Sequence, residues 1–209
     1  MPFPLFSSFS CMLTKKALRR EMRRLRRAVP PDEARRAART LARELSKQPV
    51  FRRARHIAFY WAGDGEIDPA PLLLRALRLN KHAYLPVLDP LYGESLRFAP
   101  VRIGTPLRAN RLGIPEPEVH RRHWRHARQL DLVLTPLVAF DAQGGRMGMG
   151  GGFYDRALQH LARQRRWRRP RAVGLAYELQ RVPALPRESW DVPLDGVQTE
   201  RRFYPARQR

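Results

Sequence analysis

A glycine-rich loop is the part of this sequence whose residue types best suit binding of an anion. An apolar run from Asp131 leads into it, and helix-forming residues follow from Phe153. Its glycines are Gly144, Gly145, Gly148, Gly150, Gly151 and Gly152. Glycine lets the backbone curl with positive φ and approach a ligand closely, and the N–H groups of a helix start suit phosphate. The pattern indicates either a phosphate cradle or a sharp structural turn.

The spacing of this loop departs from the two best-known phosphate-binding motifs. A P-loop has lysine where Gly151 follows Gly150 here. The dinucleotide fingerprint needs a glycine three residues after Gly150, and that position is Phe153. Arg146 lies within the loop and is placed to clamp phosphate oxygens. Phosphate binding here would therefore rest on backbone N–H groups and this arginine.

Two aspartates are candidates for holding Mg²⁺. Asp155 falls in the first turn of the helix after the loop, and Asp191 lies in the later stretch WDVPLD. Mg²⁺ usually takes one or two carboxylates together with phosphate oxygens and water. Simpler roles stay open, since Asp155 would complement the helix dipole and Asp191 would cap a turn. Neither residue decides the matter by itself.

Strands and helices alternate along the chain and must position these groups. Apolar periodicity, caps and breakers predict helices at 14–28, 32–47, 69–79 and 153–164, and strands at 56–61, 83–88, 96–99, 130–136, 172–176 and 196–199. Continuously apolar central strands are typical of a mostly parallel sheet with helices on both faces. We predict an α/β fold, a Rossmann-like three-layer sandwich. Its ligand-binding loops should follow the carboxyl ends of strands, at 62–68 and 140–155.

The length of 209 residues fits one such domain. We place it at 14–203, with a tail at 1–13, in which Met12 offers an alternative start, and another at 204–209. Cys11 is the single cysteine, which excludes an intrachain disulfide and a Cys/His zinc site. No segment approaches the roughly 20 apolar residues of a membrane helix. We expect a cytoplasmic monomer with no membrane partner.

The net charge of +22 is extreme and comes almost entirely from arginine, because only four of the 41 basic residues are lysines. Such a skew is typical of an arginine-biased genome, but positive charge also attracts polyanions. Trp124 and Trp167 lie within basic runs and would stack on bases in a nucleic-acid-binding protein. The chain carries no recognised nucleic-acid motif. We therefore expect nucleic acid only as a non-specific, charge-driven partner.

Six motifs, in order, resemble the 5-formyltetrahydrofolate cyclo-ligase family. The longest is GRMGMGGGFYD at 145–155. The others are KKALR at 15–19, FYW with EID between 59 and 68, GIPEP at 113–117, GLAYE with a glutamine at 174–180, and the closing D…D…TE of 191–200. Together they span about residues 14–201. Some family members carry lysine where this chain has Gly151, so Arg146 and Lys15 would have to supply more of the positive charge.

The resemblance implies an ATP- and Mg²⁺-dependent enzyme that cyclises 5-formyltetrahydrofolate to 5,10-methenyltetrahydrofolate and releases ADP and phosphate. It further implies a role for each matched residue. ATP would contact Lys15, Lys16, Arg19, Arg146, Met147, Gly148, Met149, Gly150, Gly151, Gly152, Phe153 and Tyr154. Folate would contact Trp61, Glu66, Met149, Gly150, Gly151, Gly152 and Phe153. Mg²⁺ would be held by Asp155 and Asp191.

Elementary chemistry agrees with the folate contacts. A pterin is flat and polar at its edge, so it would stack on Trp61 and donate its N–H groups to Glu66. Without the resemblance, Trp61 would be interpreted as a core aromatic and Glu66 as a solvated turn acid. A different catalyst on the same fold, such as a sugar-phosphate isomerase, also stays open, since fold does not settle function. The paired aspartates and the basic first helix argue against that alternative.

Overall fold

A seven-stranded, mostly parallel sheet forms the centre of the protein. The structure is a computed structural model, and it describes residues 14–89, 95–163, 169–186, 188 and 191–206. The strand order is β11-β10-β9-β6-β1-β2-β3. These strands are β1 (His56–Ala58), β2 (His82–Asp89), β3 (Ser95–Val101), β6 (Leu132–Pro136), β9 (Arg171–Leu175), β10 (Gly196–Gln198) and β11 (Phe203–Pro205). Only the two edge strands, β3 and β11, run antiparallel to their neighbours.

Helices cover both faces of this sheet, as predicted. The helices are α1 (Lys15–Arg27), α2 (Pro31–Lys47), α3 (Pro49–Arg53), α4 (Ala70–Arg78), α5 (Phe153–Leu158) and α6 (His160–Arg163). Leu41 and Leu45 of α2, with Leu72 of α4, pack into one core against β1, β6 and β9. Leu158 and Leu161 pack into a second core on the other face. The predicted three-layer α/β arrangement is confirmed.

The first helix begins where its sequence predicts. The Thr14 hydroxyl accepts the N–H of Ala17 at 3.2 Å and so caps the free N-terminal donors. Met22 lies on the buried side of the helix and packs against Val138 and Met147. The helix thus lies across a small hairpin, in which β7 (Ala139–Phe140) pairs with β8 (Arg146–Met147). The glycine-rich loop begins within this hairpin.

Several boundaries differ from the predicted ones. Strand β1 ends at Ala58, not Trp61, because the chain then turns at the carboxyl edge of the sheet. The helix predicted at 153–164 is divided into α5 and α6, and residue 164 lies outside the described residues. The short antiparallel pairs were not predicted, since two- and three-residue strands leave no periodic pattern: they are β4 (Leu107–Ala109) with β5 (Pro115–Pro117), and β7 with β8.

The proposed tails lie mostly outside the described residues. Residues 1–13 and 207–209 belong to that part of the chain. Strand β11 continues to Pro205, two residues past the predicted domain end. Across the described ranges, no helix combines the length and apolarity needed to cross a membrane.

Candidate functional site

A cavity of about 760 Å³ lies at the carboxyl edge of the sheet. Its walls come from the start of α1, the ends of β1, β2 and β6, the glycine-rich loop with α5, the β4–β5 hairpin and the segment around Asp191. Loops after parallel strands meet at this edge, which is where such folds bind ligands. Nearly every residue singled out from the sequence lines this one space.

The structure gathers these residues from four separate segments. The lining residues are Lys15, Arg19, Trp61, Glu66, Arg146, Met147, Gly148, Met149, Gly150, Gly151, Gly152, Phe153, Tyr154, Asp155 and Asp191. Lys16 is exposed and does not line the cavity. The helical period explains the difference, since Lys15 and Arg19 are four residues apart and share a face, whereas Lys16 points about 100° away.

The glycine-rich loop has two halves with different roles. In the first half, a Cβ on Gly145 would come within 2.5 Å of the Asp141 carboxylate. That carboxylate accepts the N–H of Gly145 at 2.8 Å and closes the turn of the β7–β8 hairpin. In the second half, Gly148 has open space around it, and Gly150 has φ of 107°. The segment therefore contains a sharp structural turn at Gly145 followed by an open stretch that lines the cavity.

Two arginines hold the second half of the loop through its carbonyl oxygens. Arg19 of α1 donates to the Gly148 oxygen at 3.0 Å, and Arg156 of α5 donates to the Gly151 oxygen at 2.9 Å. The Arg156 guanidinium also lies over the Phe153 ring. Sequence reasoning missed Arg156. It brings a cation to the part of the loop where a lysine is absent.

Arg146 is the main cation of the cavity wall. Its side chain is only 6% exposed, and Nη2 forms an ion pair with Asp155. Its Nη1 is buried and has no hydrogen-bond partner among the described residues. An unpaired buried donor is costly. Within the described part of the chain, Arg146 therefore carries an unsatisfied donor beside the cavity that this residue lines.

Asp191 lies in a second charged group of the cavity. Its carboxylate accepts the N–H of Glu188 at 2.8 Å, and the Glu188 carboxylate pairs with Lys15 at 2.7 Å. Within the described ranges, no three histidines, cysteines or acids form a metal-binding cluster. Mg²⁺ does not need one, because it often takes two carboxylates with phosphate and water. Asp155 and Asp191 both line the cavity, and Asp155 is already engaged by Arg146.

The turn after β1 presents Glu66 to the cavity. The Glu66 carboxylate accepts the N–H of Gly63 at 3.2 Å, and the Tyr60 hydroxyl donates to the Ile67 oxygen at 2.6 Å. Burial raises the pKa of Glu66, while the Gly63 N–H and Arg26 act in the opposite direction. The Glu66 side chain is only 13% exposed, so it is not a solvated turn acid. Trp61 is 44% exposed and is not a core aromatic.

Three arginines of α1 converge on Asp64 in this turn. Arg23 donates to its carboxylate at 2.7 Å and Arg26 at 2.6 Å, and Arg27 makes a third ion pair. Burial raises the pKa of Asp64, but the hydrogen bonds from Arg23, Arg27 and Arg26 outweigh this effect, and its pKa falls below the usual range. Asp64 therefore stays ionised and anchors the turn to α1.

Arg26 is the most buried of these arginines and was not predicted as a site residue. Its side chain has no exposed surface. A signal was present in the sequence, since position 26 continues the spacing of four from Leu18 and Met22 on the inward face. The basic character of the whole helix hid it.

Glu116 and Asn110 on the β4–β5 hairpin were also missed. The Glu116 carboxylate accepts the N–H of Leu88 at 2.9 Å and the Asn110 amide at 2.7 Å. These bonds hold the hairpin beside the end of β2, where Leu112 and Ile114 line the cavity. The GIPEP motif thus places one wall.

Trp124, one of the two tryptophans in the basic runs, makes contacts within the protein. The indole N–H donates to the Val119 oxygen at 3.1 Å, and Arg121 lies over the ring at 5.5 Å from its centroid. Trp124 is therefore used within the protein. Trp167 lies outside the described residues.

Comparison with known proteins identifies the family. The sequence model of the 5-formyltetrahydrofolate cyclo-ligase family matches residues 12–200. The 5-formyltetrahydrofolate cyclo-ligases of Haemophilus influenzae and Escherichia coli K12 are each 38% identical to this chain. Both alignments cover 88% of this chain, with 96% and 98% of the respective relatives.

A solved structure agrees with these sequences. The NMR structure of Aquifex aeolicus 5,10-methenyltetrahydrofolate synthetase superposes with a TM-score of 0.80 at 29% identity, and the match covers 94% of this chain and 95% of that one. The chain therefore belongs to the 5-formyltetrahydrofolate cyclo-ligase family and is an enzyme of that class.

Proposed function

We propose that this enzyme uses ATP and Mg²⁺ to convert 5-formyltetrahydrofolate to 5,10-methenyltetrahydrofolate, releasing ADP and phosphate. The observation that carries the proposal is the single cavity that unites a buried acid, Glu66, with a buried cation, Arg146, whose Nη1 lacks a partner among the described residues. Glu66 suits the N–H groups of a pterin, and Arg146 suits phosphate oxygens. Family membership supports the same substrates.

On the folate side, Glu66 and Trp61 supply complementary contacts. The carboxylate of Glu66 accepts two N–H groups of the pterin edge, which gives charge-assisted hydrogen bonds. The exposed ring of Trp61 offers a flat apolar surface at the cavity. The pterin thereby takes one orientation and presents its formyl group to the glycine-rich loop.

On the ATP side, Arg146, Lys15, Arg19 and the 148–152 backbone surround the triphosphate. Lys15 and Arg19 reach the cavity from one face of α1. The Nη1 of Arg146 has no described hydrogen-bond partner, which supports a negatively charged ligand in this part of the cavity. These donors hold the γ-phosphate in line with the formyl oxygen and stabilise charge that develops during transfer.

Asp155 and Asp191 are the residues that would hold Mg²⁺. When bound, the ion supplies charge neutralisation at the phosphate oxygens. Asp155 also pairs with Arg146, so one carboxylate would serve both the arginine and the metal.

The reaction needs no nucleophile from the enzyme. The formyl oxygen attacks the γ-phosphorus of ATP, and the bond from that phosphorus to the ADP oxygen breaks. N10 of the folate then attacks the activated formyl carbon, the carbon–oxygen bond breaks, and phosphate leaves with the former formyl oxygen. N10 loses its proton to solvent. Catalysis is accordingly positioning plus charge stabilisation.

Absorbance of the methenyl product tests the proposal. Purified protein is mixed with 5-formyltetrahydrofolate, and ATP and Mg²⁺ are added singly and together. We expect product only when both are present, with loss on chelation of the metal. Product without ATP, or none from folded protein under any of these conditions, overturns the proposed function.

A further inference from the structure

We propose that Arg26 is a positioning residue that fixes the place of the Glu66 carboxylate for the folate. This inference rests on the proposed function, because it assigns a supporting residue to the folate side of that site. Arg26 does not line the cavity. It would act through Glu66.

The contacts of Arg26 place it beneath two walls of the cavity. Its Nη1 lies 3.6 Å from the Glu66 carboxylate, and its Nη2 lies 3.8 Å from the Met149 sulfur in the glycine-rich loop. Its Nε donates to the Asp64 oxygen at 2.8 Å, and Nη1 to the Leu137 oxygen at 3.3 Å. One buried guanidinium therefore touches the acid turn, the glycine-rich loop and the chain just after β6.

Two of the acceptors around Arg26 are also bound by other donors. The Asp64 carboxylate also forms ion pairs with Arg23 and Arg27. The Leu137 oxygen also accepts a hydrogen bond from the Gln180 side-chain amide at 2.8 Å. Glu66 is different, since no second guanidinium is described against its carboxylate, whose other bond comes from the backbone N–H of Gly63. Removal of the Arg26 charge should therefore mainly change the position and environment of the Glu66 carboxylate.

The charged and titratable groups around Glu66 give the effect a definite sign. Arg26 faces it from α1, Asp64 from its own turn, and the buried phenols of Tyr60 and Tyr154 from the chain just after β1 and from α5. Burial and Asp64 raise the pKa of Glu66, whereas Arg26 lowers it. Removing Arg26 takes away one of the two influences that lower this pKa and leaves the Gly63 N–H, so the pKa of Glu66 rises further. Because the ionised form accepts the pterin N–H groups, folate binding should then fail at a higher pH as the solution is acidified.

The Arg26→Met variant tests the proposal, and Arg27→Met is its matched control. Both arginines lie on α1 and pair with Asp64, but Arg27 is exposed and its described ion pair is with Asp64 alone. Equilibrium binding of 5-formyltetrahydrofolate and of ATP is measured separately between pH 6 and 8.5, with melting curves as a check of folding. For Arg26→Met we expect a roughly tenfold rise in the folate Kd at neutral pH, a change under about threefold for ATP, and an acid limb at higher pH than in the wild type. Arg27→Met should leave both ligands within about threefold of the wild type.

A double-mutant cycle makes the inference specific to Glu66. In a Glu66→Gln background there is no carboxylate to hold, so Arg26→Met should add less than about threefold to the folate Kd. If the cycle shows full additivity, or if Arg26→Met and Arg27→Met weaken both ligands equally, Arg26 is merely structural and the proposal is overturned. Should Arg26→Met fail to fold, Arg26→Gln, which removes the charge but keeps hydrogen-bond donors at this buried position, must show the same folate-selective loss.

Failure of this inference can be told apart from failure of the proposed function. A wild-type enzyme that forms the methenyl product while Arg26→Met binds folate normally overturns the Arg26 proposal alone. A wild-type protein that binds neither ligand overturns both.

Discussion

The turn that carries Glu66 is held by buried charge, whereas the ligand-facing half of the glycine-rich loop is held by arginines that solvent reaches. In the turn, Asp64 receives three guanidinium groups, and one of them, Arg26, is completely buried. In the loop, Arg19 and Arg156 reach carbonyl oxygens in exposed hydrogen bonds. Both regions border one cavity.

This difference indicates two ways of building a binding wall. The charged groups that hold the turn are paired with one another within the protein. The turn therefore has its shape before a ligand binds, and these pairs contribute to the stability of the fold. The loop exposes Gly148 and Gly150, and the nearby Arg146 keeps a donor without a described partner, so under the proposed function an anion would complete its arrangement. Substitutions in the turn should change folate binding and stability, while those beside the loop should change ATP binding and the chemical step.

The largest effect is expected from Arg146→Met. Removing a cation that stabilises developing charge costs about 10²–10³ in kcat, while melting should stay close to the wild type because a buried unpaired donor is also lost. Steady-state kinetics with ATP varied gives the measurement. Arg171→Met, which removes an exposed arginine paired with Asp195, is the control. If the kcat of Arg146→Met falls by less than about threefold, the phosphate groups are bound by other residues of the cavity.

Glu66→Gln should act on the other substrate. The amide keeps the shape but replaces one acceptor with a donor, and hydrogen bonds to a charged group contribute roughly 1.5–3 kcal/mol. We expect the folate KM to rise about ten- to a hundredfold and the ATP affinity to move by under about threefold. Glu118→Gln, at an exposed ion pair with Arg108, is the control. Equal weakening of both ligands would contradict the division between the two walls.

Asp155→Asn and Asp191→Asn should each raise the Mg²⁺ requirement roughly tenfold with the fold intact. Each change removes one hard anionic oxygen. Mg²⁺ titrations of activity and melting curves separate metal binding from stability. Lower stability with unchanged Mg²⁺ dependence would mean that Asp155 serves only Arg146 and the helix dipole, an effect of about 0.3–1 kcal/mol.

Asp64→Asn should affect stability more than activity. Asparagine tolerates the φ of 53° at this position, but the buried Arg26 loses its closest anion, so Tm should fall by about 4 °C or more at pH 7. The folded pKa of Asp64 lies below its unfolded value, so its stabilising contribution is complete above the unfolded pKa and is lost as the pH falls through the folded one. The difference in Tm between variant and wild type should therefore shrink below about pH 4. A constant difference across pH would show that the carboxylate charge is not responsible.

The smallest effects should come from the first two lysines of α1. Lys15→Met should raise the ATP KM by about threefold or more, because Lys15 lines the cavity, and Lys16→Met should leave it within that limit. The two positions are adjacent and differ only in the face they occupy. Equal effects at both would indicate general electrostatic attraction in place of a defined contact, and raising the salt concentration would then weaken both equally.

Much of this site could be predicted because its signals are local. Four-residue spacing predicted the shared face of Lys15 and Arg19, and strand–loop order placed Trp61, Glu66 and the glycine-rich loop at one edge of the sheet. Lys16 illustrates the limit, since a motif match does not state which face of the helix a residue occupies. The central strands were predictable for the same local reason, because they are continuously apolar.

The missed features depend on contacts between distant segments. Arg26 is buried because Asp64, 38 residues later, supplies its counter-charge. The hairpin of β4 and β5 is held at the end of β2 by Glu116 and Asn110, and no local pattern reveals such a pairing. The net charge of this chain is +22, so its sequence contains many arginines. The sequence does not distinguish the buried Arg26 from the others, whereas the contacts in the folded structure do.

The fate of the formyl oxygen tests most directly the claim that this cavity transfers a phosphoryl group from ATP to the folate. 5-Formyltetrahydrofolate labelled with ¹⁸O in its formyl group is converted to product, and the released phosphate is analysed by mass spectrometry. The account predicts one ¹⁸O atom in each phosphate, because that oxygen bonds to phosphorus before the ring closes. Unlabelled phosphate with the label in water would contradict it, since the formyl oxygen would then have left without receiving the phosphoryl group.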